Sequence, residues 1–255
     1  MEDYENPKVA FLVVSCDKYS DLWDPFFTLL DKYWPDITFK IYLLSNKKNF
    51  SWPDVNLLKI GEDISYADNL SKALEKISEE WIFLWLEDLF ISKKVDNMRL
   101  KKIINDFIKL KGGYLNFAPD MPLSYEIQKG KEIGYLPKGI RYRSAIGATL
   151  YKKNTLNKLL VKGASAWDLD KSKISDSLDE QFFALNKFSS IIPPIKYINV
   201  LIRGRWAWNA NVFLKSEGFQ KLLSKRKFET FFSFVYAKLY NFYLSLYKNF
   251  DIYWK

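Results

Sequence analysis

The stretch that decides the reading is Trp81-Ile82-Phe83-Leu84-Trp85-Leu86-Glu87-Asp88-Leu89-Phe90-Ile91. Large apolar residues flank one acidic pair. An apolar run without alternation is the pattern of a strand covered on both faces, as in a parallel sheet. An unpaired charge inside such a strand costs several kcal/mol, so Glu87 and Asp88 belong at its end. There they either close the strand and open a turn, or they meet a divalent cation or a bound diphosphate. The segment alone leaves both open.

Working upstream, residues 66–79 read as a helix with Leu70, Ala73, Leu74 and Ile77 on one face. Before it come strand candidates at 56–60, 39–44 and 8–15, and a helix over 20–33 that Pro35 ends. Downstream, a helix over 98–109 is stopped by Gly112-Gly113. Residues 114–117 and 143–151 are strand candidates, 120–138 a long loop or small hairpin, 154–161 and 175–186 helices, and 198–202 a β-branched run. This alternation predicts an α/β fold, a mainly parallel twisted sheet flanked by helices. Residues 1–213 would form that domain. In residues 214–255, aromatics interleave with Lys221, Lys225, Arg226, Lys227, Lys238 and Lys248, the pattern of an amphipathic helical tail.

Composition narrows the chemistry. The 255 residues include no histidine and one cysteine, Cys16. Ser-His-Asp and Cys-His catalysis are excluded, as are Cys/His zinc sites and an intramolecular disulfide. A bound metal would be held mainly by oxygen, which favours Mg or Mn over Zn, and a general base would be Asp or Glu unless an unusual Lys or Tyr serves. The net charge of +9 suits anionic partners such as phosphorylated substrates or an acidic membrane face. Nucleic acid is not expected, because the lysines are spread along the chain and no recognition motif is present. No apolar run is long enough to span a bilayer. The tail favours docking on an anionic membrane surface over packing on its own domain or on a second subunit.

The order of parts resembles a GT-A glycosyltransferase of bacterial surface-glycan synthesis, lipopolysaccharide or capsule. The likeness runs from Lys8 to Arg205. It rests on a first strand ending near Ser15-Cys16-Asp17, a second ending at Ser45-Asn46, and the 66–79 helix leading into the acid-ended strand. It implies transfer of a sugar from a nucleotide-sugar donor to a lipid-linked, lipopolysaccharide or capsule acceptor. The enzyme would be cytoplasmic, peripheral on the inner face of the cytoplasmic membrane, and compatible with a homodimer. In that family an Asp-X-Asp motif binds the metal; Glu-Asp stands here instead, which makes Asp88 the first metal ligand and Glu87 the second. Ser15, Asp17 and Asp68 would hold the nucleotide, and Arg203 and Arg205 its diphosphate. Trp167, Arg143 and Ser144 would meet sugar or acceptor. Asp170, or else Asp168, would be the base. The alternative is a non-catalytic sugar-nucleotide-binding or scaffold protein on the same fold.

Overall fold

The computed structural model describes residues 8–118, 125–126, 131–140, 142–170 and 173–248. The chain opens with β1 (Val9–Val14), a 3-10 turn (Asp17–Leu22), α1 (Trp23–Tyr33), β2 (Lys40–Ser45), β3 (Val55–Lys59) and α2 (Tyr66–Glu75). The decisive stretch then splits into β4 (Trp81–Leu86) and β5 (Leu89–Ile91), with Glu87-Asp88 as the turn between them. Next come α3 (Asn97–Lys109), β6 (Gly112–Asn116), β7 (Tyr125–Glu126), β8 (Ile133–Tyr135), β9 (Thr149–Lys152) and α4 (Lys153–Leu159). Short helices α5 (Ala166–Asp170) and α6 (Ile174–Ser177) precede β10 (Gln181–Leu185) and α7 (Lys187–Ile191). The remainder is β11 (Tyr197–Asn199), β12 (Leu201–Ile202), β13 (Arg205–Trp206), α8 (Trp208–Ser216), a 3-10 segment (Gln220–Lys225) and α9 (Phe231–Lys248).

Among the described residues, nine strands form one sheet in the order β3-β2-β1-β4-β9-β6-β10-β8-β7. The first four are parallel, β9 runs against both β4 and β6, and β10 is parallel to β6. Helices cover both faces. Along β1, Val9, Phe11 and Val13 pack with α1, α3 and α8, while Ala10, Leu12 and Val14 pack with α2 and α4. That two-sided burial explains the unbroken apolar runs of β1 and β4. The fold class is the α/β arrangement read from the alternation of elements.

Two local readings are corrected. Residues 175–186 are not one helix. Gln181–Leu185 is a strand inside the sheet, its Phe182 and Phe183 buried on opposite faces. Its apolar residues fit either period, and tertiary pairing with β6 and β8 decides for the strand. The Gly112-Gly113 pair is not a helix stop either. The left-handed residue is Lys111 (φ 54°), and both glycines lie in β6, where a Cβ on Gly112 would fall 2.1 Å from the Phe107 ring.

The C-terminal segment is tied to the body at several points. Glu217 accepts from Lys32 Nζ and Tyr33 Oη, both at 2.6 Å. Trp206 N donates to Lys227 O, and Glu229 N donates to Trp206 O, each at 2.9 Å. Beyond them α9 touches the body through Phe234 against Trp208 and through a Tyr142–Tyr240 hydroxyl contact of 3.3 Å. Phe231, Phe232, Tyr236, Leu239 and Phe242 of α9 are exposed. Among the described residues no helix is long and apolar enough to cross a membrane.

Candidate functional site

Strand order fixes where a ligand can sit. From β1 the chain moves outward to β2 and β3, then returns to place β4 on the other side of β1. In open α/β sheets such a reversal leaves a crevice beyond the carboxyl ends of the two strands. Here those ends deliver Ser15-Cys16 after β1 and Glu87-Asp88 after β4. A cleft of about 660 Å³ opens there and is lined by all four residues, within the size range of small-molecule sites. Its other walls come from Asp63 in the loop before α2, from Tyr66 and Asn69 in the first turn of α2, from Trp167 and Asp170 of α5, and from the β12–β13 hairpin.

The acidic turn is held from two directions. Inside, Trp85 Nε1 donates to Leu89 O at 2.6 Å, bridging the two acids. Outside, Val200 N donates to Asp88 O at 2.9 Å, fastening the turn to the β11–β12 link. Glu87 is buried, and the Asp88 Oδ1 atom is enclosed with no hydrogen-bond partner. Burial pushes the Asp88 carboxyl up to about 7, with Arg226 acting in the opposite sense. Burial first, and the neighbouring Asp88 charge second, push Glu87 well above the usual carboxylate range. Such a pair holds its charge at low cost only against a cation. The donors are all oxygen, which fits Mg or Mn. No group of three or more metal-ligating side chains converges among the described residues, but Mg-type sites commonly use one or two carboxylates and complete their shell with phosphate oxygens and water. The two acids therefore fit a divalent cation.

The structure gathers several predicted residues at this cleft and separates others. Ser15 lines it, its Oγ accepting from Trp23 Nε1 at 2.8 Å. Trp167 lines it and is 61% exposed. Asp170 lines it too, its Oδ1 accepting from Ile146 N at 2.7 Å. Arg203 lines it from a tight two-residue turn in which Arg203 and Gly204 both have positive φ (52° and 76°). Two left-handed residues in succession are what a two-residue hairpin turn requires. Arg205, on the same hairpin, is exposed and outside the lining.

Asp17, Asp68, Asp168, Arg143 and Ser144 lie outside the lining of this cleft. The Asp17 carboxylate accepts from the amides of Asn46, Lys47 and Lys48 at 3.0–3.2 Å, locking the ends of β1 and β2 together. Asp68 bonds the α2 cap, Ser65, and accepts from Gly163 N at 2.9 Å. It borders a separate groove between α2 and α4. Asp168 accepts from Ser165 N and Oγ and closes the first turn of α5. Arg143 is buried, donates to Leu136 O and Ser175 O, and lies 4.1 Å over the Phe182 ring. Ser144 Oγ donates to Leu169 O, bracing α5 from beneath.

Sequence reasoning did not single out Asp63, Tyr66, Asn69 or Tyr19, which all line the cleft. Asn69 Nδ2 donates to Asp63 Oδ1 at 2.5 Å, and the Tyr66 hydroxyl is buried without a partner. Their spacing carries no binding-site motif. Only the placement of α2 beside the β1–β4 crevice brings them together.

No protein-family model matches the sequence, and no curated protein matches it. Solved structures of similar chain course include TarS residues 1–349 from S. aureus, with 10% identity over 73% of this chain and 63% of that one, at a TM-score of 0.46. Another is the mannosyltransferase PcManGT from Pyrobaculum calidifontis, in complex with GDP-Man and Mn2+, with 14% identity over 78% of this chain and 58% of that one, at 0.48. TarS 1–349 in complex with UDP-GlcNAc gives 12% identity over 71% and 58%, at 0.42. The chain thus spans less than two thirds of these proteins' lengths.

Proposed function

We propose that the chain is a glycosyltransferase that moves a sugar from a nucleotide-sugar donor to a lipid-linked, lipopolysaccharide or capsule acceptor. One observation carries this reading: a buried acidic pair, one oxygen of it unpartnered, opens into a nucleotide-sized cleft at the topological switch point of the sheet. A divalent cation bound by Asp88 and Glu87 would supply positive charge against the diphosphate leaving group.

The remaining roles fall to this chain's own side chains. Arg203, on its two-residue turn, offers guanidinium donors to the diphosphate oxygens. Ser15 and the walls around Asp63 and Asn69 leave room for the nucleoside. Trp167 presents an exposed indole face for a sugar ring to stack on. Asp170, oriented by the Ile146 amide, is the carboxylate best suited to take the proton of the acceptor hydroxyl as the new bond forms. Asp168 is occupied by its helix cap, which supports Asp170 over it.

The acceptor side of the proposal rests on the tail. The exposed aromatic surface of α9 and the surrounding lysines suit the headgroup region of an anionic bilayer, which would hold the enzyme on the inner face of the cytoplasmic membrane. The test is a panel of sugar nucleotides with Mg or Mn, read as nucleoside diphosphate release with and without anionic vesicles carrying lipid-linked glycan. Release that is lost in Asp88→Asn and Asp170→Asn supports transfer. Donor binding without release in any combination favours the non-catalytic sugar-nucleotide-binding alternative, and no binding at all ends both.

A further inference from the structure

We infer that Arg226, from the segment joining α8 to α9, is a positioning residue for the cleft: it clamps the Cys16–Tyr19 wall in place, so the C-terminal segment is a working part of the site. The inference deepens the donor-site reading above and partly rests on it.

The geometry is specific. Arg226 Nε donates to Asp21 Oδ2 at 3.0 Å and Nη2 donates to Asp21 Oδ1, a two-pronged grip on one carboxylate. Nη2 also reaches Lys18 O at 3.2 Å, and the guanidinium carbon lies 4.7 Å from the centroid of the Tyr19 ring. One side chain thus holds three residues of the 3-10 turn that follows β1. The clamp is largely shielded, with 12% of the Arg226 side chain and 24% of the Asp21 side chain exposed, so water competes little for it.

What it holds is part of the cleft. Cys16 and Tyr19 both line it, opposite Gly204 of the Arg203 hairpin. A Cβ on Gly204 would lie 3.5 Å from the Tyr19 hydroxyl, so the two walls nearly meet. A 3-10 turn has poorer hydrogen-bond geometry than an α-helix and gains correspondingly from outside support. Lysine would not substitute well, because an ammonium neither forks onto a carboxylate nor stacks flat on a phenol ring.

The single cysteine gives a readout independent of catalysis. In the full-length protein, Arg226→Gln and Asp21→Asn should each speed alkylation of the Cys16 thiol about tenfold, the size expected when one charge-assisted contact is lost, with Arg226→Lys in between. For a donor that turns over, Arg226→Gln should raise KM about tenfold and change kcat less than about twofold, because a loosened wall weakens donor binding in ground and transition states alike. Thermal melts of each variant establish that the fold persists. Unchanged Cys16 labelling in both Arg226→Gln and Asp21→Asn overturns the clamp, as does a wild-type KM in Arg226→Gln. If the wild-type protein binds no sugar nucleotide, the functional proposal fails while the labelling result still decides the clamp.

Discussion

Asp88 concentrates the conflict at this site. Its carboxyl stands at about 7 against an ordinary 3.8 because it is buried. The folded state therefore binds its proton more tightly than the unfolded state. The sign follows from linkage: the contribution is fully present below about pH 4, and is lost as pH rises through 7. Asp88→Asn should remove this penalty. Near pH 8 it should stabilise by ~2 kcal/mol, or raise Tm by roughly 5 °C, and near pH 4 it should do nothing. On the proposed chemistry the same change lowers transfer by about a hundredfold. A melting curve unchanged or lowered at pH 8 would contradict the burial argument. The pair was legible in the sequence because two acids broke an apolar run. Asp17 illustrates the opposite. Its partners are three backbone amides twenty-nine to thirty-one positions away, and no side-chain pattern announces a backbone donor.

At the scale of elements, packing decided what periodicity left open. β1, β2 and β4 were readable because strands buried on both faces have no competing pattern of comparable length. The 87–88 break was readable only as an end, since its second half, β5, leaves the main sheet and pairs with β11. The helix expected over 175–186 gives way at 181–185 to β10, which pairs with β6 and β8, and the glycine that opens β6 lies close against it. A Cβ at Gly112 would sit 2.1 Å from the Phe107 ring and 2.9 Å from Phe183. Gly112→Ala should accordingly cost ~3 kcal/mol, felt as strain between α3 and β10. Gly163→Ala meets nothing within 4 Å and pays only for its φ of 78°, about 1 kcal/mol. Urea midpoints of the two variants test the ordering, and equal losses would refute the close-approach explanation.

For the whole molecule, the C-terminal region divides into a part that braces the body and a part that projects from it. A chain ending after Thr230 keeps Glu217, Arg226 and Glu229, and should melt within about 2 °C of the full protein while losing affinity for anionic vesicles. A chain ending after Ser216 loses the Lys32–Glu217 and Asp21–Arg226 pairs and the contact of Glu229 with the Trp208 amide. It should lose ~3–5 kcal/mol. Calorimetry and vesicle flotation on the two truncations separate bracing from docking. Composition alone showed the aromatic-basic tail, but gave no sign that its first thirteen residues reach α1 and the turn after β1. Those contacts join residues some two hundred positions apart.

The antiparallel insertion of β9 has a consequence during synthesis. β4 gains its second neighbour only when Thr149–Lys152 arrives, long after Trp81–Leu86 has left the ribosome. Until then a six-residue ribbon of tryptophan, phenylalanine, leucine and isoleucine carries one unzipped margin of amide and carbonyl groups, the kind of template on which nascent chains coalesce. Fragments that stop short of Thr149 should therefore collect in inclusion bodies, and the intact polypeptide should lean on chaperones while that margin stays bare.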